Sequence, residues 1–195
     1  MILTERRYTA DEWVTLPDDG QRYELVDGAL VALSPATIDH AEVRKMLQRL
    51  LLHAEDAGYG ECFGPTLGVI LDPQDARRNA RLPDLLFVRT EHLSSVAAAA
   101  LEGSPDLLIE VRDDDAPLDE LPGGRKFADY ERFGVPAYWV ADVATRTVSQ
   151  YTLAGGRYEV PTVLHGQDRL TSSLFPGIAV PVDVLFSKVR QPAWR

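Results

Sequence analysis

Apolar positions along this chain follow two rhythms. Val43, Met46, Leu47, Leu50, Leu51 and Ala54 recur at helical spacing, so residues 38–57 read as a long helix that Gly58 stops. Thr9 and Glu12 have capping-box spacing and predict a short helix through Trp13, ended by Pro17 to Gly20. YELVDGALVALS reads as a hairpin turning at Asp27-Gly28. Residues 61–71 read as one strand, and PQDARRNA as a polar loop. Thr90 is placed to cap a helix running through the alanines at 97–100. RKFADYERF reads as a helix ended by Gly134, followed by the strand AYWVAD. TRTVSQYTL and GRYEVPTVL predict a hairpin around Gly155-Gly156, and a last strand pair is expected near 169–170 and 178–180.

Two further runs, LPDLLFV and SPDLLIEV, are apolar throughout rather than alternating, which suits strands inside a sheet covered on both faces by helices. The element order predicts an α/β fold: a mixed central β-sheet flanked by helices, with additional antiparallel hairpins. No internal repeat or long linker divides the chain, so residues 1–195 are expected to form one domain with its core at about 8–185.

Composition narrows the function classes. Hydrophobic residues make up 45% of the 195, enough for a sizeable core. No apolar run approaches the roughly 20 residues of a membrane span, and MILTERRYTADEW lacks the apolar segment of a signal peptide, so a cytoplasmic protein with no membrane partner is expected. The single cysteine, Cys62, excludes an internal disulfide and a cysteine zinc site and reads as a small hydrophobe. The net charge of −10 argues against coating nucleic acid through a general positive field, though not against a local basic strip.

The chemistry lies in the two apolar runs. Asp84 follows Pro83 in the first, and Glu110 sits within the second. A carboxylate inside a buried strand costs several kcal/mol unless it is compensated. On neighbouring strands the two acids can converge on one cation, and oxygen-only ligands suit Mg²⁺ or Mn²⁺. Such a site suits phosphodiester hydrolysis, in which the cation activates water and a nearby lysine supports the nucleophile or the phosphate.

The ordered set YELVDG, SPATIDH opening a long helix, FGPTLGVIL, RLPDLLFV, SPDLLIEV, RKFADYERFGVPAYWVAD and TRTVSQYTL resembles the Uma-type putative restriction endonucleases of the PD-(D/E)XK nuclease superfamily. The resemblance covers roughly residues 8–185 and implies a restriction-endonuclease-like fold. It also implies a metal-dependent endonuclease acting on DNA with Mg²⁺ or Mn²⁺, and a homodimer in which two chains cut both strands. By the resemblance Asp84 and Glu110 are the metal-binding acids, Glu24 is an additional acid at the metal, and Lys126 is the catalytic lysine. The superfamily's usual lysine position, two residues after the second acid, holds Arg112, which cannot act as a base because it stays protonated. The family's Ser-Pro-Ser-Thr-like turn is replaced by RDDDAP.

Other residues read more plainly. Asp106, in the second Pro-Asp pair, reads as a strand entry, and the aspartates at 113–115 as a solvated loop. His40 is placed to approach the site from the start of the long helix, and Arg77, Arg78 and Arg81 are candidates for phosphate contacts. Two alternatives to a DNA endonuclease stand: a catalytically inactive nuclease-like binding module, and a phosphodiesterase acting on RNA or small nucleotides, which an acidic chain would suit better.

Overall fold

The computed structural model describes residues 6–72, 77–97, 99–113, 119 and 121–190. Helix α1 spans Ala10–Val14 and opens with the full capping box: Thr9 accepts from the Glu12 N–H, and the Glu12 side chain accepts from the Thr9 N–H. Its Trp13 donates from Nε1 to the Tyr23 carbonyl at 2.7 Å, tying the helix to the first hairpin. That hairpin joins β1 (Tyr23–Val26) to β2 (Ala29–Ala32). Asp27 and Gly28 both take positive φ, 48° and 81°, as a two-residue turn matched to strand twist requires. Helix α2 (Ile38–Asp56) is capped by the Thr37 side chain and stops before Gly58, whose φ of 81° no other residue type adopts cheaply.

Among the described residues the strands form three sheets. The largest contains β3 (Gly60–Phe63), β6 (Leu85–Arg89), β8 (Leu107–Arg112), β9 (Ala137–Asp142), β10 (Thr147–Ala154), β11 (Arg157–Tyr158) and β12 (Thr162–His165). Only β8 and β9 pair in parallel there; the other pairs run antiparallel. A parallel pair needs a crossover, and the helix α3 (Arg125–Arg132) lies on that connection. A second sheet places β2, β1, β5 (Ala80–Arg81), β4 (Gly68–Ile70) and β7 (Ala100–Glu102) side by side. The third pairs β13 (Arg169–Thr171) with β14 (Ala179–Pro181), and the short helix α4 (Val182–Leu185) follows.

Alternation along β8 sorts the core into two faces. Leu107, Ile109 and Val111 meet Val43, Leu47, Leu50, Leu51 and Ala54 of α2, with Phe87 and Trp139 between them. Leu108 faces the other way, among Leu86, Tyr130, Tyr138 and Val140. Leu47 and Phe87 are fully buried, and each side chain of this size contributes about 1.5–3 kcal/mol, so packing rather than propensity holds α2 in place. The expected mixed sheet between helices is therefore present. Among the described residues no helix is long and apolar enough to cross a membrane.

Two sequence expectations are corrected. Residues 61–71 form two strands rather than one: the chain leaves the large sheet after Phe63 and joins the second sheet at Gly68. Gly68 sits against Trp13, where an added Cβ would lie 2.1 Å from Cη2, so this crossing needs glycine. The expected helix through 97–100 is a 3₁₀ turn over Thr90–Ser95, followed by β7. Ala100 and Leu101 instead pair in parallel with Gly68 and Val69, a long-range pairing that overrides the helical propensity of alanine.

Candidate active site

Asp84 lies one residue before β6. The β6–β8 register pairs Leu85 with Ile109 and Leu86 with Leu108, so its continuation sets Asp84 opposite Glu110 on the same face. Pro83 cannot donate a ladder hydrogen bond, which suits the point where the chain enters the sheet. The Val111 N–H donates to Asp84 Oδ2 at 2.8 Å, and His40 Nε2 lies 2.8 Å from Oδ1. Burial would raise the Asp84 carboxyl, but His40, the Val111 N–H and Lys126 together hold it below the usual carboxylate range.

Glu110 projects from the middle of β8 toward α3. Lys126 Nζ lies 3.2 Å from Glu110 Oε1, and the Tyr130 hydroxyl donates to the same oxygen at 2.7 Å. Lys126, Asp129 and Tyr130 are spaced i, i+3, i+4 and share one helix face, so α3 presents all three to the sheet together. Burial pushes the Tyr130 phenol well up, and Glu110 and Glu24 add to this, so the hydroxyl stays protonated and donates.

Glu24 arrives from the second sheet. Its Oε1 is 3.2 Å from Lys126 Nζ and accepts from the Leu82 N–H at 3.1 Å, while Oε2 accepts from Arg81 at 3.0 Å. Burial acts to raise Glu24, and Lys126, Arg81 and the Leu82 N–H outweigh it to hold the group low. Arg81 reaches onward to Asp129, so one buried guanidinium joins the second sheet to α3. The four sequence-predicted residues Glu24, Asp84, Glu110 and Lys126 are thus brought together at one end of the large sheet.

Among the described residues, the carboxylates of Asp84, Glu110, Glu24 and Asp129 outnumber the cations Arg81 and Lys126 that pair with them, with His40 at their edge. Buried charge excess is relieved by a bound cation. Among the described residues no group of three or more His, Cys, Asp or Glu side chains forms a ready metal cluster. Two carboxylates are nevertheless a sufficient protein contribution for Mg²⁺, which keeps waters and takes substrate phosphates as its other ligands. Asp84 and Glu110 fit that part. Glu24 lies beside the lysine, its oxygens accepting from Arg81 and the Leu82 N–H.

Comparison with known proteins bears on the family and the fold. A family model for Uma2, described as "Putative restriction endonuclease", matches residues 10–183. The chain belongs to the Uma2 family. A crystal structure of a putative nuclease belonging to DUF820, from Anabaena variabilis ATCC 29413, superposes with a TM-score of 0.74. It shares 15% sequence identity over 92% of this chain and 97% of the other, a likeness of fold. No curated protein matches the chain.

In this Uma2 protein one candidate phosphate contact stands elsewhere than the sequence suggested. Arg81 cannot contact phosphate, because its side chain is 3% exposed and bound to Glu24 and Asp129. Arg77 pairs with Asp11 and Glu102, and Arg78 is exposed. Arg112 donates to Asp142 at 2.7 Å. Asp106, just before β8, is buried and accepts from the Arg89 N–H and from His92. Asp113 accepts from Thr37, while Asp114 and Asp115 lie outside the described residues. Burial, and then Glu55, push the Cys62 thiol up to about 12, which disfavours the thiolate. Sequence reasoning missed Tyr130 and Asp129. Their spacing from Lys126 was the available signal: a lysine on an otherwise inward-facing helix stripe brings its i+3 and i+4 neighbours to the same site.

Proposed function

We propose that this chain is a metal-dependent endonuclease that hydrolyses DNA phosphodiester bonds with Mg²⁺ or Mn²⁺. The observation that carries the reading is the meeting of Lys126 with Glu110 and Glu24 at 3.2 Å each, beside Asp84 at the entry to the neighbouring strand. Asp84 and Glu110 would hold the cation. When bound, the ion would lower the pKa of a water and neutralise charge developing on phosphorus. The chain's own groups do the rest. Lys126 donates from its ammonium toward the attacking water or the phosphate oxygens. Glu24, itself held by Arg81, keeps that ammonium in place, and Tyr130 keeps the Glu110 carboxylate from rotating away.

Plasmid nicking with Mg²⁺ or Mn²⁺ tests the reading, comparing the native chain with Asp84→Ala and Glu110→Ala. Nicking by the native chain alone is expected. Equal nicking by all three would remove the site from the reaction, and none by any would remove the enzyme reading.

One observation favours a smaller substrate. Arg77 and Arg81 are engaged in internal ion pairs and the net charge is −10, so two of the three side chains suspected of gripping a duplex are otherwise employed. A substrate panel of duplex DNA, RNA and dinucleotides separates the two readings by the preferred class.

A further inference from the structure

His40 is not used in the reading above, yet its ring touches one of the two acids. It stands in the first turns of α2, 44 residues from Asp84 in sequence, with Nε2 2.8 Å from Asp84 Oδ1. Its other nitrogen, Nδ1, lies 3.6 Å from Asp113 Oδ2. Thr37 ties these parts together: its hydroxyl accepts from the His40 N–H at 3.1 Å and donates to Asp113 Oδ1 at 2.7 Å. The His40 and Asp84 side chains are 12% and 13% exposed, so the pair sits at the margin of the site and is not free in solvent.

We propose that His40 is a positioning residue, which sets the orientation of the Asp84 carboxylate toward its cation. Asp84 precedes β6, so sheet pairing of its own residue does not restrain the side chain. Val111 restrains one oxygen and His40 the other. A carboxylate oxygen has two acceptor positions, so one donor on each oxygen leaves one position on each and fixes the direction they face. A carboxylate that ligates a metal is commonly held by such an outer hydrogen bond, and loss of that bond weakens binding without removing a ligand. An ionised carboxylate only accepts, so Nε2 carries the proton of this bond, and Thr37 anchors the His40 backbone behind the ring.

The inference rests on the metal reading of Asp84. The test is calorimetry with Mn²⁺ on the native chain, His40→Phe and His40→Gln. Phenylalanine keeps the ring volume and removes the donor; glutamine carries an N–H close to the position of Nε2. We expect His40→Phe to bind Mn²⁺ about 10- to 100-fold more weakly and His40→Gln to stay within a few-fold of native. Native affinity in His40→Phe, or equal losses in both variants, would overturn the inference. If the native chain takes up no Mn²⁺, the metal reading has failed, and ring-nitrogen NMR of the metal-free protein then decides positioning by itself. A proton on Nε2 that Asp84→Ala releases supports it; a ring that does not respond to Asp84→Ala overturns it.

Discussion

The ammonium of Lys126 lies 3.2 Å from Glu110 Oε1, a contact across 16 residues that joins a crossover helix to the middle of a buried strand. The same nitrogen stands 3.2 Å from Glu24 of the other sheet. One cation thus serves two buried carboxylates, and the stability of the site turns on it.

Lys126→Met should expose that dependence. Removing one partner of a buried ion pair costs about 3–5 kcal/mol, because the remaining charge stays desolvated. The metal-free variant should melt well below the native chain. Mn²⁺ should raise its melting temperature, since a ligand that binds only the folded state stabilises it. Thermal denaturation with and without Mn²⁺ measures both effects; a variant as stable as native would show that the two glutamates are already neutral.

Acid should destabilise the protein through the same acids. Glu24 and Asp84 are both held below their ordinary values of 4.5 and 3.8 in the folded state. A group lowered by folding contributes stability above its unfolded pKa and loses it as pH falls through its folded pKa. Metal-free denaturant midpoints should therefore hold steady from about pH 7 to about pH 5 as far as these groups are concerned, then fall with further acid. Asp84→Asn should flatten that fall. Midpoints that rise on acidification would mean that mutual repulsion of the acids dominates.

Tyr130→Phe removes a single donor, the 2.7 Å hydrogen bond to Glu110. A hydrogen bond to a charged group contributes about 1.5–3 kcal/mol, so urea unfolding should show a loss in that range. Nicking should fall with it, because Glu110 regains freedom to rotate. Unchanged unfolding and unchanged nicking together would show that the Tyr130 hydroxyl does not hold the carboxylate.

Gly60→Ala probes the sheet rather than the site. An added Cβ would lie 2.2 Å from the Val88 carbonyl oxygen and 2.8 Å from the Arg89 Cα, both backbone atoms that cannot turn aside. Overpacking of this kind costs about 1–3 kcal/mol. Gly64→Ala is the control, with its nearest neighbour, Gln48 Nε2, at 4.0 Å. The first substitution should lower the melting temperature and the second leave it almost unchanged; equal effects would mean that the β3–β6 edge yields easily.

Much of this was legible in the chain itself. The capping box at Thr9 and Glu12, the Asp27-Gly28 turn and α2 from Thr37 to Gly58 are all local, decided by hydrogen bonds and backbone angles within a few residues. The two acids were legible for a related reason: a charge inside an apolar run is anomalous wherever the run ends up. Local signals failed where distant chain decided. Ala100 and Leu101 became strand because Gly68 and Val69 offered a partner, and residues 61–71 split because two sheets competed for them.

The sequence by itself determined which elements could form and which carboxylates would need compensation, since periodicity, caps and turn residues act over short separations. Only the tertiary structure decided the partners. Arg81 meets Glu24 across 57 residues and Asp129 across 48, and a residue suspected of holding phosphate became the internal tie of the site. Strand register and the path of the crossover helix set those meetings. Both follow from long-range packing, in which each pairing depends on the others and no short stretch of chain carries the information.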